Sequence, residues 1–169
     1  MILIDPDLDS AASPKSAPAK LSSSSIPSPR ALARFLAEAQ ATIRLRGEVT
    51  VLLTTDAALR DLNRRFRGKN KATDVLSFPS TRNQNAKPAE RIAGDLAISV
   101  ETARRQGAEC GHSLGAEIKV LILHGLLHLA GFDHETDAGQ MHRRESELRS
   151  DFGLPLGLIE RTSARGKRS

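Results

Sequence analysis

The sequence predicts an α+β fold, a single domain in which a small β-sheet packs with helices and one histidine-bearing helix runs through the core. Three observations predict it. Short β-branched runs are interspersed with longer segments whose apolar residues recur at helical spacing. One of those segments, beginning at Ser113, has almost no polar face, so it must be covered on all sides. With 169 residues, 39% of them hydrophobic and 27% charged, the chain also has the size and balance of one globular core. The domain is expected to span 1–155, with 156–169 a disordered basic tail.

Met1 to Leu8 can form a short strand. The segment 9–29 is rich in Ser, Pro and Ala and has few large apolar residues, so it cannot offset its ordering entropy and is expected to be flexible. Ser28 and Pro29 are a cap followed by proline in the first helical position, and Leu32, Phe35, Leu36, Ala39 and Ile43 continue the helix to about Leu45. After Gly47, Val49, Val51 and Leu53 alternate with Thr50, Leu52 and Thr54 as a strand. Thr55 or Asp56 caps a second helix with Ala58, Leu59, Leu62 and Phe66 on its apolar stripe, ended by a basic turn, Arg67 to Lys71.

Two further strands are expected, Asp74 to Phe78 and Asp95 to Ser99, with a polar loop from Ser80 to Arg91 between them. Glu101 to Gln106 reads as a short helix stopped by Gly107. From Ser113 the apolar helix carries Ile118, Val120, Leu121, Ile122, Leu123, Leu126, Leu127 and Leu129, and Gly131 is its left-handed cap. A charged helix from about Thr136 to Asp151 closes the domain.

Composition excludes several classes. Cys110 is the single cysteine, which rules out an intramolecular disulfide and a cysteine-based zinc ribbon. Met1 to Asp9 lacks the features of a secretory signal, and the apolar stretch around Val120 is too short to cross a bilayer, so no membrane association and a cytoplasmic location are expected. The net charge of +5 favours a polyanionic partner.

The chemistry is carried by histidines inside the apolar helix. Residues four apart are about 6 Å along the axis and roughly 40° around it, so His124 and His128 project from one side. A reversal at Gly131 lets His134 supply a third ring nitrogen. Imidazoles facing each other in a core each need a partner, and burial penalises protonating them; a metal ion answers both needs. Three protein ligands leave a fourth position open, and imidazole ligation suits zinc, with nickel, copper and cobalt also compatible. His112 and His142 read as loop and surface histidines, and Glu117 lies about 10 Å along the axis from His124, too far to be a ligand.

The spacing H-x3-H-x5-H also occurs in metzincin proteases, where a glutamate follows the first histidine and acts as general base. Here that position is Gly125, which argues against the protease reading.

The run His124-Gly-Leu-Leu-His128-Leu-Ala-Gly131-Phe-Asp133-His134 resembles the signature of the YbeY family of bacterial endoribonucleases. Upstream, Phe66-Arg-Gly-Lys-Asn-Lys-Ala72-Thr-Asp74-Val-Leu-Ser-Phe-Pro79 and Gly94-Asp-Leu-Ala-Ile-Ser99 are similar to two further family motifs, so the resemblance covers Val49 to Asp151 in order. Ala72 departs from the family's usual proline. The resemblance implies a metzincin-like α+β domain with a small mixed sheet and a single-strand-specific, metal-dependent endoribonuclease. Its work would be ribosomal RNA maturation, at the 3′ end of the small-subunit 16S RNA, and ribosome quality control.

It also implies that His124, His128 and His134 hold one metal ion, that Arg67 is the essential arginine, and that ribosomal RNA is the partner, joined by small-subunit proteins and an assembly GTPase. A guanidinium at Arg67 suits the negative charge that builds on phosphoryl oxygens during cleavage. Arg64, Arg65, Lys69 and Lys71 crowd the same turn and are expected to contact backbone phosphates. Asp133 is a candidate for orienting a ligand imidazole from behind, or equally an ordinary turn aspartate. With no Trp or Tyr, an aromatic platform for bases is mostly unavailable. A metalloprotease, and a non-catalytic RNA-binding assembly factor with a structural metal, are the alternatives.

Overall fold

Four strands form one mixed sheet in the order β1-β2-β4-β3 in the computed structural model, which describes residues 1–10, 25–81 and 87–155. β1 (Ile2–Ile4), β2 (Glu48–Thr54) and β4 (Ile92–Ser99) are mutually parallel, while β3 (Val75–Pro79) runs antiparallel to β4 at the edge. Among the described residues the α-helices are α1 (Asp7–Ser10), α2 (Pro29–Ile43), α3 (Asp56–Arg67), α4 (Val100–Cys110), α5 (Leu114–Leu129) and α6 (Gln140–Asp151). Most of the expected flexible segment 9–29, part of the loop after Ser80 and the whole tail 156–169 lie outside the described residues.

Strand alternation divides the core between the two sheet faces. Leu96 and Ile98 of β4 join Val51, Leu53, Leu36 and the α5 residues Ile118, Leu121 and Ile122 in the main cluster. Ala97, pointing the other way, packs with Leu59 of α3 and Leu76 of β3. Helix α5 contacts the sheet, α2, α4 and α6, so its near absence of a polar face follows from being covered all round. No helix among the described residues is long and apolar enough to cross a membrane.

Local signals explain most boundaries. The Ser28 hydroxyl accepts the Ala31 N–H at 3.2 Å with Pro29 opening α2, and Thr55 and Ser113 cap α3 and α5 in the same way. Helix α2 stops at Ile43, two residues before the expected Leu45, because Arg44 turns left-handed at φ 57°. Two expectations are corrected more substantially. Gly107 lies inside α4, which continues to Cys110; a Cβ there would come within 3.0 Å of the His112 carbonyl, so the glycine allows close approach and Gly111 is the true cap. Helix α6 begins at Gln140 rather than Thr136, because the Asp137 carboxylate accepts the N–H groups of Gly139, Gln140 and Met141.

Candidate metal centre

The C-terminal half of α5 and the turn after it build the site. Both His124 and His128 point out of the same side of α5, with their Nε2 atoms 3.1 Å apart. Past the helix, Gly131 adopts φ +98°, and the N–H groups of Gly131 and Phe132 return to the carbonyls of His128 and Leu127 at 3.0 Å. This reversal carries His134 back over the helix end. Its ring centroid lies 5.6 Å from that of His124 and 5.5 Å from that of His128, and one ligand atom from each of the three residues lies within 4.8 Å of the others.

The donor set fits a metal. Two nitrogens about 2.0–2.1 Å from a common tetrahedral ion stand roughly 3.4 Å apart, close to the His124–His128 spacing. His128 is half-buried, and burial first, then repulsion from His124 and His134, pushes its imidazole down to about 4 from 6.5. A neutral imidazole with a free lone pair is the form a cation requires. The burial is graded: His124 is buried, His128 intermediate and His134 exposed, so the cluster opens to solvent on the His134 side.

A carboxylate missing from the sequence reading completes the arrangement. Glu145 of α6, only 2% exposed, places Oε2 3.2 Å from Nδ1 of His124. A carboxylate accepts, so Nδ1 carries the hydrogen and Nε2 presents its lone pair toward His128. The signal was present in α6: Met141, Glu145 and Leu148 are its buried positions, so Glu145 occupies the apolar stripe of an otherwise charged helix.

Asp133 is differently employed. Its carboxylate accepts the Glu135 N–H and the Thr136 hydroxyl, both at 3.0 Å, and these bonds hold its carboxyl below the usual carboxylate range, with a smaller pull from His128 and His134. It therefore shapes the turn that carries His134, while Glu145 makes the direct imidazole contact.

Position 125 faces the sheet. A Cβ on Gly125 would meet the Leu96 side chain at 2.7 Å, so any side chain at the place of the protease glutamate would have to displace Leu96.

Arg67 ends α3 and reaches across to the edge strand, its Nη2 donating to the Ser77 carbonyl at 2.8 Å. Ser77 is buried beside α5, and its hydroxyl donates to the Gly125 carbonyl at 3.5 Å, next to His124. The basic turn is shaped by left-handed Gly68 and by Asn63, whose Nδ2 donates to the Lys71 carbonyl at 2.8 Å. Lys69 and Lys71 are exposed. Arg64 and Arg65 are also exposed, but both pair with Asp61, at 2.7 and 2.8 Å. Such surface pairs are weak and leave the guanidiniums available to a stronger anion.

A family model described as endoribonuclease YbeY matches residues 24–153. The endoribonuclease YbeY of Koribacter versatilis is 50% identical over 142 residues, covering 84% of this chain and 89% of the relative. That of Helicobacter pylori strain 26695 is 44% identical over 114 residues, covering 68% and 78%. Among solved structures, the solution structure of TM1509 from Thermotoga maritima aligns with a TM-score of 0.52 at 21% identity, over 100% of this chain and 97% of that one, a likeness of fold.

Proposed function

This chain belongs to the endoribonuclease YbeY family, and from that premise we propose that it is a zinc-dependent, single-strand-specific endoribonuclease of ribosomal RNA maturation. Its substrate on this reading is the 3′ end of small-subunit 16S RNA, its setting the cytoplasm and ribosome quality control, and its partners small-subunit proteins and an assembly GTPase. Residues 1–155 form the single catalytic domain. The observation that carries the reading is the convergence of three imidazole ligand atoms within 4.8 Å at an opening to solvent.

His124, His128 and His134 would hold the ion. When bound, zinc supplies a Lewis acid that polarises a phosphoryl oxygen or activates water near neutral pH. Glu145 fixes the tautomer of His124 and aims its ring. Arg67, steadied on Ser77 by one N–H, keeps other donors of its fork for phosphoryl oxygens as charge accumulates on them. Arg64, Arg65, Lys69 and Lys71 contact backbone phosphates, a sequence-independent attraction that weakens with salt.

Metal-loaded protein incubated with single-stranded RNA, duplex RNA and an unfolded polypeptide tests the proposal. Internal cleavage of the single strand alone, lost in His134→Ala, is the expected result. Cleavage of the polypeptide with the RNA left whole would overturn it. The product ends then identify the attacking oxygen, since a cyclic phosphate requires the RNA's own 2′-hydroxyl.

A further inference from the structure

Phe66 is 67% exposed, while Phe35 is in the core, edge-on to Phe152 at 5.3 Å. An exposed apolar residue says little by itself. The surroundings of Phe66 say more. Its ring meets that of Phe78 edge-to-face, with centroids 5.5 Å apart at 70°, so one phenylalanine braces the other while most of Phe66 remains in water. The next residue is Arg67, anchored on the carbonyl of Ser77, the residue before Phe78. Ser77 in turn reaches the Gly125 carbonyl beside His124. Phe66 thus lies in the last turn of α3, at the head of the basic turn formed by Arg67, Lys69 and Lys71, and Phe78 braces it from the edge strand on the sheet face that carries α3, opposite the face that packs on α5.

We propose that Phe66, braced by Phe78, is a stacking platform for an unpaired base of the RNA strand. This deepens, and rests on, the nuclease reading above. An aromatic face flanked by cationic side chains matches a nucleic-acid single strand, whose bases stack while its phosphates pair with the cations. The cations of the adjoining turn favour an anionic strand over a neutral apolar partner. A base can lie on Phe66 only when its own face is free, so the platform selects single strands over duplexes and sets the register of the phosphodiester presented to Arg67. Although Trp and Tyr are missing, phenylalanine supplies the surface.

That absence makes the test direct. In Phe66→Trp the new indole is the sole Trp or Tyr in the chain, so its fluorescence reports this position alone. Metal-loaded Phe66→Trp is mixed in stopped flow, before turnover, with a single-stranded oligoribonucleotide or with an abasic strand of equal length and charge. Quenching by the base-bearing strand and little by the abasic one is expected. In parallel, Phe66→Ala should raise KM for single-stranded RNA about tenfold, with a smaller effect on kcat and metal content retained. Equal quenching by both strands, or an unchanged KM, overturns the proposal. If the unsubstituted chain cuts no RNA, the nuclease reading fails separately, and the titration still decides whether a base stacks on position 66.

Discussion

Two buried glutamates each hold a histidine in this domain, and the two pairs leave the imidazole in opposite conditions. Near the start of α5, the fully buried Glu117 bonds Nε2 of His112, five residues away across the α4–α5 junction. Glu145 instead bonds Nδ1 of His124 across the α5–α6 contact, and it is Nε2 that faces His128. One pair closes a junction, whereas the other aims a lone pair at two further imidazoles. A buried histidine–carboxylate contact therefore does not mark a metal site by itself. What distinguishes the second is which ring nitrogen the carboxylate takes and what the remaining nitrogen meets.

The largest test of that distinction removes a cluster imidazole without injuring the core. His134 is exposed, so His134→Ala should fold normally, lose tightly held metal by elemental analysis after dialysis, and lose RNA cleavage by roughly a thousandfold or more, beyond the usual ~10²–10³ for one preorganised donor. His112→Ala should keep its metal and instead lower the unfolding free energy by about 1–3 kcal/mol through its weakened hold on Glu117. Loss of metal from the His112 variant would break the comparison.

Arg67→Ala comes next, with kcat/KM for RNA expected to fall about 10²–10³-fold while metal content stays at the parent value. Arg67→Lys should recover only part of this, since an ammonium restores charge but not the planar fork. Glu145→Gln is smaller again: a chelator-competition titration should show zinc affinity weakened by about 10–100-fold. Glu117→Gln should leave that affinity unchanged, and an equal loss from both variants would erase the difference between the pairs.

These cases also explain what could be read from the sequence. His124 and His128 were legible because four residues of helix put them on one face whatever surrounds the helix, and Gly131 signalled the reversal that returns His134. Glu145 was hidden because its partner is 21 residues away on another element, so only the α5–α6 packing selects it from the other carboxylates of a charged helix. Gly107 misled because a glycine that ends a helix and one that admits a neighbouring backbone are the same letter; the His112 carbonyl beside it decides the case. The expected α+β architecture, with its small mixed sheet and buried histidine helix, is what the chain adopts. The sheet order needed the structure, because strand periodicity shows which residues face the core but not that β4 is inserted between β2 and β3.

The finest prediction concerns protons. Burial and the neighbouring His124 and His134 hold His128 at about 4 in the folded chain, against 6.5 for an ordinary histidine. Between those values the unfolded chain binds more protons at this position than the folded one, so acid favours unfolding. Stability of the metal-free protein should thus fall as pH drops from about 6.5 toward 4, and this contribution should level off below. Other groups also titrate in that range, so the informative quantity is the difference between the parent and His128→Asn, followed as melting temperature against pH in chelator. The variant's profile should be flatter, with each kcal/mol of difference worth about 2–4 °C at this chain length. Saturating zinc should flatten the parent as well, because an imidazole whose lone pair is occupied cannot take up the proton. A parent slope untouched by His128→Asn would place the acid sensitivity away from the histidine cluster.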